Sequence, residues 1–456
     1  MASRLAFRIP VLYFMAMMNT PMKILLTAVS LMVGIAVVYL FSTKIGMEGL
    51  FFQQSAVSKV YFADHISPAH EAVIKRFNQL HKGRIEVIPV NLPFNKFTTN
   101  ERKELLARSL RSKSDRLDVF SVDYIWTERF AKWCEPLDGF FSEKDKANIL
   151  SPTLQSCLSD NKLVAMPLYI DVGMMYYRKD FLKKLPDAAQ IEVRLQNSMT
   201  WSELIALQKR LGMKGRPFYI FQGNDYEGLN CNYFEILASL DENYFRGNKI
   251  DLNTPIARRA LQMMVDFIYK ENIAPSVVTQ FDENKSYEYW MKNNAMFVRG
   301  WSNFVENYRM LHNDTSSFSY IGRASLPHFE GHKITSVYGG WNLMVSKFSN
   351  NKTAAIEFVR FMQTEEAKKI MFELGDYIPV NRDVYDDTAY VSKYPKLIFY
   401  RKLIERGFHR PFLADYTKIA DIVSHYVNLA LKKEMTVDEA LSKASLMINS
   451  NEVLIK

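Results

Sequence analysis

The residues best suited to chemistry are Tyr338, Gly339, Gly340 and Trp341, which precede the alternating run at 342–347. That run predicts a short buried strand because apolar residues dominate it. The two glycines at its entrance have no side chains, so another molecule can approach the backbone closely. Aromatic rings beside bare amides suit a sugar, whose C–H face stacks on a ring while its hydroxyls form hydrogen bonds. The same residues also fit a β-bulge flanked by core aromatics.

Carboxylates could add acid–base chemistry to such a site. Asp123, Asp171 and Glu227 are the candidates, since hydrolysis of a glycosidic bond needs a facing pair of carboxyl groups. Carboxylates also accept hydrogen bonds from sugar hydroxyls without any reaction. The sequence contains no Gly-rich phosphate loop, no GxSxG or HExxH motif and no cysteine–histidine cluster with metal-ligand spacing. We therefore prefer binding over catalysis, with no cofactor and no metal.

The positive charge of the chain does not indicate a nucleic-acid partner. The 58 basic residues outnumber the 49 acidic ones, for a formal net charge of +9. The densest basic cluster lies at 108–116, on a predicted helix end. Nucleic-acid proteins concentrate such charge on one face with interleaved aromatic residues, and this cluster lacks them. It is typical of a solvated helix terminus.

Residues 1–58 are interpreted as a leader and spacer. Arg4, Arg8 and Lys23 precede an uncharged apolar run at 24–41. Basic residues before an apolar run are typical of export, with the positive end left in the cytoplasm. The run is longer than most signal-peptide cores and shorter than most spanning helices, so cleavage and anchoring both stay open. The expected location is the periplasm or the extracytoplasmic face of a bacterial inner membrane.

Three cysteines, Cys134, Cys157 and Cys231, occur in the chain. In an oxidising compartment the first two could pair and close a short loop. Spacing alone does not decide this pairing, and one thiol would remain in any case.

The first part of the body alternates strands and helices. Strands are predicted at 60–63, 84–90 and 117–122, with helices at 68–81 and 99–111 between them. This β-α-β-α-β order predicts a mostly parallel sheet with right-handed crossovers. Ligands of such sheets bind beyond the carboxyl ends of the strands. The side chains expected there are those of Asp64, His65, Asp123 and Tyr124.

A second α/β region begins after Pro167. A strand is predicted at 174–177, and Thr200 with Glu203 forms a capping box that starts a helix. Further predicted elements are helices at 233–240, 255–270, 287–293, 353–362 and 364–374, and a strand at 295–298 that leads to Trp301. Because no long linker divides the chain, we expect two lobes joined by several chain crossings, with the ligand in the cleft between them.

Five stretches together carry a family resemblance. They are DVFSVDYIWTERFA at 118–131, LVAMPLYIDVGMMYYRKDFL at 163–182, FQGNDYEGLNCNYFEILAS at 221–239, YGGWNLMVSKFSNNKTAAIEFVRFM at 338–362 and HRPFLADYTKIADIV at 409–423. In this order they resemble the extracellular solute-binding proteins of ABC sugar importers (family 1), in particular the trehalose/maltose-binding type. The resemblance covers nearly everything outside the leader.

The resemblance implies the two-lobed α/β fold of periplasmic binding proteins (type II). The expected division is 59–170 plus 302–338 for lobe I, and 171–301 plus 339–456 for lobe II. The implied function is to bind a di- or oligosaccharide, an α-glucoside such as trehalose or maltose, and to deliver it to ABC permease subunits in the membrane. No enzyme activity is implied.

Site residues follow from the same resemblance. Asp123 and Asp171 would accept hydrogen bonds from hydroxyls, Trp301 and Trp341 would stack on sugar rings, Gly340 would offer its backbone N–H, and Arg410 would donate to hydroxyls. The remaining predicted sugar-binding residues are Tyr226, Glu227, Asp64 and Tyr124. Asn230 departs from the family pattern, which more often has threonine there, and Tyr124 also stands where relatives often differ. These departures bear on which sugar is bound.

Two other functions remain open at this point. One is a membrane-anchored sugar-sensing ectodomain that reports to a signalling receptor, with the run at 24–41 retained. The other is a retaining or inverting glycosidase that uses the same carboxylates.

Overall fold

The computed structural model describes residues 19–51, 57–93, 96–245, 250–312, 318–413 and 415–450. The chain divides into two compact units, Met1–Val57 and Ser58–Lys456. In the first unit, helix α1 spans Thr20–Phe51. Its segment Thr20–Tyr39 is long and apolar enough to cross a membrane, on length and composition alone. Arg4 and Arg8, the basic residues at the start of the predicted leader, lie outside the described residues.

The strands of the second unit are short and mostly buried. They are β1 (Ser58–Asp64), β2 (Ile85–Asn91), β3 (Val119–Asp123), β4 (Leu158–Ser159), β5 (Lys162–Leu163), β6 (Met166–Val172), β7 (Met174–Arg178), β8 (Tyr219–Ile220), β9 (Phe297–Gly300), β10 (Ile321–Ala324), β11 (Ser336–Val345) and β12 (Gly407–Phe408).

Helices surround these strands. They are α2 (Pro68–Leu80), α3 (Thr99–Arg111), α4 (Thr127–Ala131), α5 (Glu143–Ala147), α6 (Ser151–Gln155), α7 (Lys179–Leu182), α8 (Ala188–Asn197), α9 (Trp201–Arg210), α10 (Glu227–Leu240), α11 (Pro255–Tyr269), α12 (Glu283–Lys292), α13 (Phe304–His312), α14 (Lys352–Phe361), α15 (Glu365–Gly375), α16 (Arg382–Asp386), α17 (Thr388–Lys393), α18 (Lys396–Glu405), α19 (Tyr416–Leu431) and α20 (Val437–Asn449). Short 3₁₀ turns occur at Tyr124–Trp126 and Ser276–Gln280.

Local sequence signals explain where several helices begin. Ser67 caps α2, with Pro68 at the first helical position, as predicted. The predicted capping box of Thr200 and Glu203 starts α9. Helix α10 begins two turns earlier than predicted, at Glu227, because all of its residues are buried and no apolar stripe marks its start.

The first sheet contains the predicted parallel core. Strand β1 pairs in parallel with β2 and β3, and β11 runs antiparallel to β3 and β6 and parallel to β12. Helix α14 packs on β1, and α15 packs on α2. Every residue of β6 and β11 is buried, and β11 lies between β3 and β6 in the sheet. This sheet and its helices form the first lobe.

The second sheet has the order β10-β7-β9-β8. Helix α19 packs on α10, α11 and α20, which places the C-terminal helices with this second lobe. Since β6 and β7 are separated only by Gly173, the chain passes directly from one sheet to the other there. It returns between β10 and β11 and crosses again between β12 and α19.

Strand pairing departs from the predicted division at two places. Strand β10 lies within 302–338, predicted for lobe I, but it pairs with β7 in the second sheet. Strand β11 and helix α14, predicted mostly for lobe II, pair with β3 and pack on β1 in the first sheet. The prediction placed the return crossing at Tyr338–Gly339, whereas β11 already begins at Ser336. Of the helices predicted for lobe II, α15 packs on α2 of the first lobe, whereas α19 and α20 pack on helices of the second lobe.

All three cysteines are buried free thiols. The Cys134 thiol lies against the carbonyl of Phe130, and the Cys157 thiol lies against the carbonyl of Thr153 and the side chain of Asn342. The disulfide between Cys134 and Cys157, which the sequence neither required nor excluded, is therefore not formed in this structure.

Candidate functional site

A cleft of about 340 Å³ lies between the two lobes. Strand β3 brings Asp123 to it, β6 brings Asp171, and β11 brings Gly340 and Trp341. The second lobe contributes Trp301, which follows β9, and Tyr226 and Glu227 at the start of α10. Arg410 enters from the third chain crossing. The structure thus brings eight of the ten predicted site residues together in the lining of one cleft.

Arg410 joins the two lobes through its guanidinium group. It donates to Glu227 of the second lobe at 2.7 Å and to Asp123 of the first lobe at 2.8 Å. Its side chain is buried, so both ion pairs are shielded from solvent. Because carboxylates occupy both terminal nitrogens, Arg410 here positions two acceptors. Donation from Arg410 to a ligand stays a prediction.

Glu227 and Asp123 differ in the number of hydrogen bonds that they accept within the protein. Glu227 accepts hydrogen bonds from Arg410, from the hydroxyl of Tyr416 at 2.6 Å and from the amide of Asn230 at 3.1 Å. Asp123 accepts from Arg410 and from the backbone N–H of Ile125, both through Oδ1. Of the two, Asp123 is the better acceptor for a ligand.

Asp171 is a buried carboxyl group in the lining of the cleft. Its Oδ1 accepts the backbone N–H groups of Ser302 and Val172, each at 2.9 Å. The bond to Ser302 links strand β6 to the segment that carries Trp301, so Asp171 connects the lobes at the first crossing. Burial raises the pKa of Asp171 to about 7, although these backbone N–H donors oppose the rise.

Trp341 lies in the middle of β11, paired with Asp123 on β3 and with Tyr169 on β6. The guanidinium carbon of Arg102 stands 4.2 Å from the centre of its ring. Arg102 in turn donates to Asp64 at 2.7 Å. Burial alone would raise the pKa of Asp64, but His70 and Arg102 outweigh it and hold that pKa well below its usual range.

Trp301 has a matching arrangement in the second lobe. The guanidinium carbon of Arg299 stands 3.9 Å from the centre of its ring, and Arg299 pairs with Glu235 at 2.7 Å. The indole N–H of Trp301 donates to Glu283 at 3.3 Å. Its backbone N–H donates to the hydroxyl of Tyr287 at 3.1 Å. Each lobe therefore presents one tryptophan backed by a buried arginine.

The two glycines lie inside β11, where they admit protein groups. Gly340 has φ +124°, which disfavours other residues, and a β-bulge follows it between Trp341 and Asn342. A Cβ at Gly340 would meet the carbonyl oxygen of Tyr169 at 2.5 Å. A Cβ at Gly339 would meet the ring of Trp301 at 2.9 Å, so this glycine lets the two lobes touch. The prediction that the glycines precede the strand is wrong.

Two predicted sugar-binding residues lie outside the lining of the cleft. Tyr124 is buried, and its hydroxyl donates to the carbonyl of Tyr169 at 2.9 Å, beneath Gly340. Asp64 is buried in its pairs with Arg102 and His70. His65, which follows Asp64 in the chain, does line the cleft. The reason in both cases is that the side chain turns into the first lobe rather than into the cleft.

Tyr226 reaches the cleft and donates to Glu283 at 2.7 Å. Glu283 thereby accepts hydrogen bonds from two predicted site residues, Tyr226 and Trp301, although it is not itself among the predicted site residues. Burial raises the pKa of Glu283. Asp282, the N-cap of α12, is a sequence signal for a helix start at this place. No sequence pattern marks Arg102 and Arg299, the arginines that stack on the two tryptophans.

Comparisons with known proteins agree with this architecture. Residues 62–369 match the family model described as bacterial extracellular solute-binding protein. A "Probable ABC transporter-binding protein" of Deinococcus radiodurans is 27% identical over 75% of this chain and 82% of its own length. The structure of maltose-bound T. maritima MalE3 is 27% identical, with a TM-score of 0.77 over 87% of this chain and all of that chain. The GacH receptor of Streptomyces glaucescens, 18% identical with a TM-score of 0.71 over 86% of this chain and 98% of its own, shares the fold.

The fold and the interlobe cleft define a two-lobed binding protein. The chain belongs to the bacterial extracellular solute-binding protein family, since the family model covers more than half of it. The predicted family and fold class are thus confirmed. This family is a class of solute-binding proteins and not a class of enzymes. An extracellular family together with an N-terminal apolar helix indicates export or anchoring of the body.

Proposed function

We propose that the protein is the substrate-binding component of an ABC-type carbohydrate importer. It binds a di- or oligosaccharide, an α-glucoside such as trehalose or maltose, in the interlobe cleft. Lobe closure around the sugar then presents the loaded protein to a membrane permease. One observation carries the proposal: Trp341 of the first lobe and Trp301 of the second line the same cleft, together with the acceptors Asp123 and Asp171.

The size and chemistry of the cleft support a sugar of this length. A volume of about 340 Å³ falls within the usual range for small-ligand pockets. Tryptophan rings supply apolar faces for C–H groups, and carboxylates supply acceptors for hydroxyls. The similarity to maltose-bound T. maritima MalE3 at 27% identity points to the same ligand class.

Binding without catalysis is favoured by the ion pairs of two of the three candidate carboxylates. A glycosidase needs one carboxyl group as proton donor opposite a second carboxylate. Asp123 and Glu227 instead both form ion pairs with the guanidinium of Arg410. We expect no release of chromophore from aryl α- and β-glucosides. Turnover that Asp171→Asn abolishes would overturn this part of the proposal.

A thermal-shift screen across trehalose, maltose, sucrose and glucose tests the sugar assignment, because a ligand that binds only the folded protein raises its Tm. Titration calorimetry then gives Kd for each sugar that raises the Tm. Trp301→Ala should weaken binding about ten-fold through loss of ring stacking. Trp133→Ala, a change of the same type outside the lining of the cleft, is the matched control. A Trp301→Ala variant with less than a two-fold change in Kd would contradict the stacking role.

An anchored sugar-sensing ectodomain is the second candidate. It is favoured by segment Thr20–Tyr39, which is long and apolar enough to cross a membrane. N-terminal sequencing of the exported protein shows whether this segment is retained. Sugar uptake that stops when the gene is deleted supports import. Unchanged uptake with a lost transcriptional response to the sugar supports sensing.

A further inference from the structure

The lining of the cleft is rich in carboxyl groups relative to cations. Its acidic members are Asp123, Asp171, Glu227, Asp282 and Glu283. The cationic side chain in the same lining is that of Arg410, accompanied by the imidazole of His65. Burial lowers the pKa of His65 to about 3, which leaves that ring neutral.

Arg410 already forms ion pairs with carboxylates of the protein itself. Its guanidinium contacts Glu227 at 2.7 Å and Asp123 at 2.8 Å, so one cation serves two anions. The arginines behind the tryptophans are likewise engaged, since Arg102 pairs with Asp64 and Arg299 with Glu235. The charge of Arg299 opposes the rise that burial causes in the pKa of Asp171 and of Glu283, but its ion pair is with Glu235.

Asp171, Asp282 and Glu283 form no ion pair with any residue that the structure describes. Asp171 accepts hydrogen bonds from the neutral backbone N–H groups of Ser302 and Val172 and from the side chain of Ser302. Asp282 accepts the backbone N–H of Lys285 as a helix cap. Glu283 accepts from the neutral donors of Tyr226 and Trp301.

Of the three, Asp171 is the carboxylate whose charge is most costly to bury, because only 6% of its surface is exposed. A buried carboxylate is costly unless a cation pairs with it. The pKa of Asp171, raised to about 7 by burial, reflects this cost. A ligand that brings its own positive charge into the cleft would pair with Asp171 and remove the cost.

We propose that the cleft prefers sugars that carry an amino group, with the ammonium bound at Asp171 and the acidic wall of Asp282 and Glu283 nearby. This inference rests on the proposed function and narrows its substrate class to amino sugars. Charge-assisted hydrogen bonds between an ammonium and a carboxylate are about twice as strong as neutral ones. The two tryptophans would hold the ring faces of the same sugar.

Matched disaccharides test the preference. Trehalose and maltose are compared by titration calorimetry with derivatives in which one hydroxyl is replaced by an amino group, at C2, C4 or C6. The N-acetylated form of each amine serves as a neutral control of similar shape. We expect at least one amine to bind ten-fold or more tighter than its parent sugar, and its N-acetyl form to lose that gain.

Variants assign the effect to the carboxylates. Asp171→Asn should bring the parent-to-amine Kd ratio to about one. Asp282→Asn should lower the ratio several-fold while it keeps the helix cap, because asparagine is an equally good N-cap. Asp187→Asn, at an exposed pair with Arg210 away from the cleft, should leave the ratio unchanged. If Asp171→Asn does not fold, Asp282→Asn alone decides.

The outcomes separate this inference from the proposed function. Parent sugars that bind as tightly as every amine would overturn the amino-sugar preference and leave sugar binding intact. An amine preference that survives both Asp171→Asn and Asp282→Asn would overturn the assignment to these carboxylates. Failure of all the sugars, neutral and amine-bearing, to raise the Tm would overturn both proposals.

Discussion

The two tryptophan walls of the cleft are alike in composition and different in construction. Trp341 stands in a strand that pairs with neighbours on both sides, and only 7% of its surface is exposed. Trp301 stands just past the end of β9 and is held through hydrogen bonds to Glu283 and Tyr287. Both rings have a guanidinium stacked on them, from Arg102 and Arg299 respectively.

This difference separates stability from recognition. A ring within a sheet is fixed by the backbone, so changes to it should mainly affect the free energy of unfolding. A ring held by side chains can be displaced without disturbing a sheet, so changes around it should mainly affect ligand affinity. The first lobe thus supplies a rigid wall, while the wall of the second lobe depends on hydrogen bonds to two side chains.

The largest expected effect comes from the buried pair behind Trp341. Arg102→Met leaves the Asp64 carboxylate without its guanidinium and should lower the free energy of unfolding by about 3–5 kcal/mol. Urea unfolding followed by circular dichroism measures it. Arg210→Met, which breaks an exposed pair, is the control and should leave the free energy of unfolding nearly unchanged. Equal losses in the two variants would contradict a structural role for Arg102.

Alanine substitution of each tryptophan tests the comparison directly. Trp341→Ala should cost about 3–5 kcal/mol of unfolding free energy, because it empties a buried site in the sheet. Trp301→Ala should cost clearly less, since that ring is partly exposed, and should show its effect in a weaker Kd. Urea unfolding and titration calorimetry on both variants supply the two numbers. Equal stability losses would break the distinction between the walls.

The pH dependence of stability sharpens the comparison at Asp171, which joins the walls through Ser302. Its folded pKa of about 7 lies above the ordinary value of 3.8. Between these values the folded protein holds a proton that the unfolded chain has released, so stability should fall as pH rises from about 4 to 7. Asp171→Asn should remove about 2 kcal/mol of that fall between pH 5 and pH 7.

Parallel urea titrations of the wild type and Asp171→Asn at both pH values isolate this group, since other carboxylates titrate equally in both proteins. An identical change in the two proteins would show that Asp171 does not titrate in this window.

The smallest expected effect concerns the support of Trp301. Glu283→Gln keeps one acceptor oxygen but turns an amide NH₂ toward one of the two donors, Tyr226 or Trp301. Loss of one hydrogen bond is worth about 1 kcal/mol, so sugar affinity should fall roughly five-fold. Titration calorimetry measures this. Glu271→Gln, outside the lining of the cleft, should leave Kd unchanged, and an effect of equal size there would argue against a positioning role.

Much of the fold was predictable because periodicity and caps are local signals. Strands β1, β2 and β3 and the helices between them follow directly from alternation, from Ser67-Pro68 and from the Thr98 region. The lobe boundaries were less accessible. Strand β10 joins the second sheet by pairing with β7, which is a long-range contact that no local pattern encodes.

The site was predictable where ligand-facing chemistry coincides with strand ends and family motifs. Asp123, Asp171, Trp301, Trp341 and Arg410 all line the cleft. Asp64 and Tyr124 were placed there by the same rule but turn inward, because a strand end fixes where a residue lies and not which way its side chain points. Glu283 and Arg299 act through other side chains, so their roles depend on three-dimensional contacts.

The contact between Gly339 and the Trp301 ring has a further consequence for observing this protein in solution. The indole touches the backbone of the opposite lobe, so separation of the lobes would transfer it from a packed to a hydrated environment. Its emission would then shift to longer wavelength as the cleft opens. The fluorescence of Trp301 would thus report the opening of the cleft without an attached dye. A methyl group at position 339 would meet this ring and hold the lobes apart, so it should shift the emission toward that of the open cleft.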